Sequence, residues 1–284
     1  MKKLVKTLSI FLVFLSLTYI CLAQKESEKN LKMYFQIGYN QGIFYNGHVQ
    51  VRELEYEGTY LKLKENLGMS SWISPTMTLG MNFSRKNIFE FTYTRHFFKG
   101  REFIPERTWY NGTLYAPSSK ATIKNTIYRR FELAWKARIF HSHKTEIYTR
   151  TAIDYELLKF YVDAPIDKES PKAETYEGFW RQQLPLPTIG VYVTHHLSSQ
   201  WSINGEAFAT YLPIVETWMK ERGNMHVGQS NIDVNLHLSY QGKYLSISPG
   251  IWFKHYEIKE ESREDENAFL INGFGYSLAA ALRF

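Results

Sequence analysis

Residues 273–284 read GFGYSLAAALRF. Taken alternately, Phe274, Tyr276, Leu278, Ala280, Leu282 and Phe284 share one side of an extended chain. Gly273, Gly275, Ser277, Ala279, Ala281 and Arg283 share the other. Period-2 alternation is the mark of a strand with two unlike faces. The large apolar groups continue to the last residue, so this face needs an apolar environment along its whole length. The small groups opposite imply a second, different environment.

The same pattern recurs upstream in ten segments, counting this one as part of LINGFGYSLAAALRF (270–284). MYFQIGYNQGIFY (33–45) sets Phe35, Ile37 and Tyr39 against Gln36, Gly38 and Asn40. WISPTMTLGMNF (72–83) sets Met77, Leu79 and Met81 against Thr76, Thr78 and Gly80. NIFEFTYTRHFF (87–98) opposes Phe89, Phe91, Tyr93 and Phe97 to Glu90, Thr92, Thr94 and His96. The others are NTIYRRFELAWKARIF (125–140), TEIYTRTAIDYELLKFY (145–161), PTIGVYVTHHL (187–197), WSINGEAFATYL (201–212), SNIDVNLHLSY (230–240) and YLSISPGIWFKHYEI (244–258).

The connections alternate as strictly as the residues. SRKN, HSHK, SSQ and QGK make links of about three or four residues, whereas the intervening links run to roughly 11 to 26. An even number of strands with short turns on one rim and long loops on the other predicts an all-β, up-and-down antiparallel transmembrane barrel of about ten strands. The short turns belong to the periplasm and the long loops to the exterior. HVQVRELEYEGTYLKL (48–63) leaves a count of twelve open, either as a hairpin entering the barrel or as an extension of the first loop. A soluble sandwich also alternates, but it does not account for the link lengths or for Trp135, Trp201, Tyr211 and Tyr240 near strand ends, where a barrel places its interfacial girdles.

The first 23 residues have a different character. MKKLVK is basic, LSIFLVFLSLTYI is apolar but too short to span as a helix, and Ala23 before Gln24 suits signal cleavage. The expected organisation is a signal peptide over 1–23, a short periplasmic leader over 24–32 and the barrel over 33–284. Cleavage removes Cys21, the only cysteine, so disulfides and thiolate metal sites are excluded from the mature chain. It also removes Lys2, Lys3 and Lys6, taking the basic residues from 34 to 31 against 28 acidic ones and the formal charge from +6 to +3. That balance, without a basic patch interleaved with aromatics, argues against a nucleic-acid partner. No phosphate-binding glycine loop or nucleophile elbow is present, and no cofactor is expected.

An alternating carboxy-terminal strand ending in Phe resembles the terminal signal of bacterial outer-membrane barrel proteins. Tyr276, Leu278, Ala280, Leu282 and Phe284 carry the likeness. The resemblance covers nearly all of the mature chain at the level of architecture and implies two partners, outer-membrane lipid and the barrel-assembly machinery.

Parity fills the predicted lumen with charge: Glu90, Arg130, Glu132, Lys136, Arg138, Glu146, Arg150, Asp154, Glu156, Glu206, Asp233 and Lys254. Adjacent strands bring opposite signs within cross-strand range. A plugged lumen held by ion pairs and a narrow solute path lined by the same residues both fit. A third reading is enzymatic. Ten strands with long outer loops resemble the omptin proteases, which activate water with carboxylates and a His at the top of the barrel. His96, Glu156, Asp233 and Lys254, read as inward residues near the outer strand ends, are the corresponding candidates, although no omptin motif matches them. Lipid A deacylation, which uses a Ser–His pair on the lipid-facing side, points to His195 and His255. His195 sits by the periplasmic SSQ turn, and periodicity offers no serine partner for His255. His141 and His143 in HSHK lack a third metal ligand, the acidic run 257–268 reads as solvation, and NGT (111–113) carries no weight as a glycosylation site in a bacterium. The aromatic loops REFIPERTWYNGTLYAPSS (101–119) and AETYEGFWRQQLP (173–185) suit contact with an extracellular ligand or surface. The expected function is therefore surface binding or envelope integrity through the outer loops.

Overall fold

A computed structural model describes residues 32–53, 58–84, 86–104, 106–123, 127–171, 185–216, 226–262 and 265–284. The signal segment with Ala23 and Gln24, and the loop 173–185 apart from its last residue, lie outside them. Fifteen strands follow in order: β1 (Lys32–Glu53), β2 (Leu61–Lys62), β3 (Ser71–Ser84), β4 (Asn87–Ile104), β5 (Thr108–Tyr110), β6 (Thr113–Tyr115), β7 (Ser119–Ile123), β8 (Ile127–His141), β9 (Thr145–Lys159), β10 (Val162–Asp163), β11 (Pro185–His196), β12 (Trp201–Glu216), β13 (His226–Gln241), β14 (Leu245–Glu261) and β15 (Asp265–Arg283).

Ten of them form the wall. The antiparallel order is β1, β3, β4, β8, β9, β11, β12, β13, β14, β15. Then β15 pairs back onto β1 from Tyr34↔Arg283 to Glu53↔Asp265. Closure leaves the sheet without an edge, which hydrocarbon demands because an unpaired backbone group there costs several kcal/mol. Among the described residues of 48–63, none adds a hairpin to the wall. Their first part prolongs β1, and Leu61 and Lys62 fold back to pair with Val49 and His48.

Parity within the wall changes with height. On β14, Ile247, Ile251 and Phe253 point outward while Ser246, Trp252 and Lys254 point inward. Higher up the outward positions are Glu257 and Lys259, and the buried inward ones are Tyr256 and Ile258. Thus the strand is apolar outside in its lower part and apolar inside in its upper part. The longest departures from the sequence reading follow from this inversion. β1 reaches Glu53 rather than residue 45, β4 reaches Ile104 rather than 98, and β14 and β15 continue through most of the segment expected to be a loop of about 11 residues. A strand above the lipid keeps its apolar side dry by turning it inward, so a search for apolar-outward alternation ends too soon.

The inward apolar residues of the upper part form one core. It contains Phe44, Leu63, Met69, Trp72, Phe98, Tyr128, Phe160, Tyr256 and Phe269, among others. A small cap closes over it. β7 pairs with the end of β4, β10 pairs with β7, and β5 and β6 make a hairpin. Its two-residue turn puts Asn111 at φ 52° and Gly112 at φ 67°, the left-handed conformations that favour Asn-Gly in such turns. Tyr110 donates its hydroxyl to the Phe160 carbonyl at 3.1 Å, and Tyr115 donates to that of Val162 at 3.0 Å.

The small interior face of β15 now has a cause. Gly42 and Gly275 face each other across the closing seam. A Cβ on Gly42 would stand 2.4 Å from the Trp252 ring, and one on Gly273 would stand 2.9 Å from Trp72. The seam is bare of side chains because two indoles and the partner strand's own backbone, the Gln41 carbonyl beside Gly275 and the Phe274 carbonyl beside Gly42, lie against it.

Candidate functional site

The lumen holds a dense charge network at mid-height. Arg130 of β8 is the hub: its guanidinium lies 2.7 Å from Asp154, 2.8 Å from Glu132 and 3.0 Å from Asp233, with Glu156 at 3.8 Å. Arg150 contacts Glu132 and sits 3.0 Å from Glu206. Lys136 bridges Glu90 at 2.8 Å and Glu206 at 3.0 Å, and Lys254 lies 3.1 Å from Asp233. Neutral donors complete it. Thr188 donates to Asp154 at 2.6 Å, Gln229 and Asn231 donate to Glu156 at 2.9 and 3.3 Å, and the Tyr34 hydroxyl bonds Glu90. Neighbouring registers such as Arg130↔Glu156 and Glu132↔Asp154 place these partners on one face, which is why alternation alone brings them together.

A soluble barrel buries apolar residues and exposes polar ones. Here the membrane-height wall does the reverse, with the charge network enclosed and Ile37, Met77, Leu133, Ile153, Ile189 and Leu278 exposed on the outside. The chain folds as a membrane-spanning β-barrel of the outer-membrane type.

The barrel has an uneven interior. A cavity of about 840 Å³ runs from Lys32, Lys243 and Arg283 at the short-turn rim up to Trp72, Trp252 and His96. Above that level the space is filled. Phe44 stacks on Trp72 at 5.5 Å, Trp72 meets Trp252 edge-on at 5.2 Å, and Tyr128 packs against Tyr256 at 5.3 Å. The lumen is therefore a polar vestibule facing the periplasm beneath a dry, aromatic ceiling.

The four residues considered for omptin-like chemistry are not at the outer rim. Their strands continue beyond them toward the exterior, and all four are buried. Asp233 and Lys254 are paired and Glu156 belongs to the Arg130 network. His96 stands apart, its Nδ1 accepting the Trp72 indole N–H at 2.9 Å and lying 2.6 Å from Ser74. Its ring lies over Tyr128 at 4.2 Å, under the aromatic ceiling. Arg138 and Glu146 make a separate pair at 2.8 Å near the short-turn end, where His141 also reaches Glu146 at 3.2 Å.

Two further expectations are corrected. In the loop 101–119, Ile104, Tyr110, Leu114 and Tyr115 are buried in the cap rather than displayed for contact, although Phe103 is exposed. His255 does have a serine partner. On the outer surface its Nε2 lies 3.2 Å from Ser230 Oγ and its Nδ1 lies 2.7 Å from Asn272 Oδ1. Ser230 comes from β13 and Asn272 from β15, so adjacency in the sheet supplies what the sequence separates by 25 and 17 positions. Both continue the outward parity of Ile232 and Phe274, a signal that extending the alternation by one step would have caught. His195, the other outward histidine, lies 2.9 Å from the Thr145 hydroxyl near the short-turn end.

No family model and no curated protein matches the chain. Among solved structures the barrel is similar to the outer membrane protease OmpT from Escherichia coli, at 9% identity over 88% of this chain and 97% of that one, with a TM-score of 0.49. It is also similar to the translocator domain of the autotransporter NalP from Neisseria meningitidis, at 10% identity over 96% of each chain with a TM-score of 0.40. A third is Neisserial surface protein A, at 9% identity over 89% and 97% with a TM-score of 0.29.

Proposed function

We propose that this is a closed outer-membrane barrel that acts from its surface and strengthens the envelope, and that it does not pass solutes. The observation that carries this reading is the ceiling: Trp72, Trp252, Phe98, Tyr128 and Tyr256 fill the lumen between the vestibule and the cap. A conducting path needs a continuous file of water between polar walls. Here the polar walls stop halfway, and the charges beneath them are tied up in ion pairs. The surface available to a partner is the rigid cap and the rim beside it, with Phe103 and Tyr60 as its exposed aromatics. Purified protein in planar lipid bilayers is expected to give no stable conductance steps. Steps that persist at fixed amplitude would overturn the closed reading. Opening the ceiling with a Trp72→Ala, Trp252→Ala double variant supplies the positive control, since it removes the two indoles above the vestibule.

A further inference from the structure

The outward face of the barrel carries a polar row where none is needed to close the wall. On β13 the outward residues from the short-turn end are Tyr240, Leu238, Leu236, Val234 and Ile232, and the next is Ser230. On β15 they are Leu282, Ala280, Leu278, Tyr276 and Phe274, and the next is Asn272. Between them on β14, Ile251 and Phe253 are followed by His255. Five steps of two residues, from Tyr240 to Ser230 or from Leu282 to Asn272, on strands tilted by roughly 40°, rise about 25 Å, the height of the apolar band of such barrels. Ser230, His255 and Asn272 therefore stand at the upper edge of that band, where the acyl chains of the outer leaflet meet their headgroups. Polar groups on a lipid-facing wall are costly and point to function by default.

Their geometry is ordered. Asn272 Oδ1, 2.7 Å from Nδ1, accepts its proton and leaves the Nε2 lone pair free. Nε2 in turn lies 3.2 Å from Ser230 Oγ, within reach of the hydroxyl proton. Glu257 is farther from the same hydroxyl, at 3.5 Å, and is itself paired with Lys259 at 3.1 Å. A hydroxyl, a base and a group that orients the base are thus joined in a line on the face that lipid touches.

We propose that Ser230, His255 and Asn272 form a hydrolytic site for acyl esters of outer-leaflet lipids. Ser230 Oγ attacks the ester carbonyl while its proton passes to His255 Nε2. The bond from the acyl carbon to the lipid alkoxide breaks, the alkoxide takes the proton from His255, and an acyl-serine remains. Water, deprotonated by Nε2, then attacks the acyl carbon, the fatty acid leaves, and Ser230 regains its proton. Asn272 is a positioning residue that holds the imidazole in the productive tautomer. The backbone N–H groups of these paired strands are engaged in the sheet, so stabilisation of the oxyanion is weak and slow turnover is expected.

The test uses the folded barrel in vesicles of three compositions: a glycerophospholipid with ester-linked chains, an ether-linked phospholipid carrying lipid A, and the ether-linked phospholipid alone. Released fatty acid is measured by mass spectrometry, and a fluorophosphonate probe reports the nucleophile. Wild type is expected to release fatty acid from an ester-containing arm and none from the ether-only arm. The arm that responds identifies the lipid. Ser230→Ala and His255→Ala, checked for folding by gel mobility without heating, should lower release roughly 100-fold or more. Asn272→Ala should lower it less, and Asn272→Asp should restore much of the loss. The probe should mark Ser230. Absence of release from both ester arms, or release unchanged in Ser230→Ala, overturns the proposal.

Discussion

Replacing Arg130 by Met should destabilise the barrel in a pH-dependent way. Among the described residues the mid-lumen network contains Arg130, Arg150, Lys136 and Lys254 against Glu90, Glu132, Asp154, Glu156, Glu206 and Asp233, so acid already exceeds base. Glu132 and Asp233 keep other cations when Arg130 is lost. Asp154 and Glu156, both fully buried, keep only neutral donors. Breaking a buried pair by removing one partner costs about 3–5 kcal/mol, because the abandoned charge stays buried. Protonation limits that loss. Neutralising two carboxylates with ordinary pKa values of about 4 costs ~1.4 kcal/mol each per pH unit above it, hence ~8 kcal/mol at pH 7, more than the break itself, and ~3 kcal/mol at pH 5. The folded variant thus takes up protons that the unfolded chain does not, and its deficit relative to wild type shrinks as pH falls. Urea titration of protein folded into phospholipid vesicles, followed by tryptophan fluorescence and by gel mobility, should show a deficit of about 3–5 kcal/mol at pH 7 and of no more than ~3 kcal/mol at pH 5. Arg130→Lys should fall between, since it keeps the charge but loses the fork. A deficit below ~1 kcal/mol at pH 7, or an equal deficit at both pH values, refutes the view that Arg130 compensates these carboxylates.

Two other perturbations test the seam and the cap. Gly42→Leu forces a side chain against both the Phe274 carbonyl and the Trp252 ring and should destabilise the barrel by about 1–3 kcal/mol or more, with Trp252→Ala in the same chain relieving only the ring's share of the loss in urea titration. Burial pushes the Tyr115 phenol up to about 12 from its ordinary 10. The stability contributed by its neutral form is therefore complete below pH 10 and disappears as pH rises through about 12. Protease nicking of the cap should rise across that window in wild type and stay flat there in Tyr115→Phe.

The wall was legible in the sequence because lipid imposes one rule on every strand. Ile189, Val191 and Val193, or Leu236 and Leu238, need only parity to be placed outside, and the same parity sends Arg130, Asp154 and Lys254 inward. The upper wall was not legible, because its residues obey a different rule. Tyr256 and Ile258 are apolar and inward, Glu257 and Lys259 polar and outward, so the alternation persists with its sense reversed. Asn111 and Gly112 carried a hairpin signal that a glycosylation reading obscured. Contacts that join distant strands, such as Ser230 with His255 and Asn272, depend on register, and register is fixed by closure of the whole sheet rather than by any one segment.

The reversal of polarity along β14 and its neighbours gives the molecule two storeys with separate foundations. Eight residues from Phe253 to Glu261, tilted as before, lift the top of the wall about 20 Å above the greasy belt. This turret carries its own dry filling and does not borrow its hydrophobicity from the bilayer. Changes in membrane thickness or fluidity strain the lower storey alone.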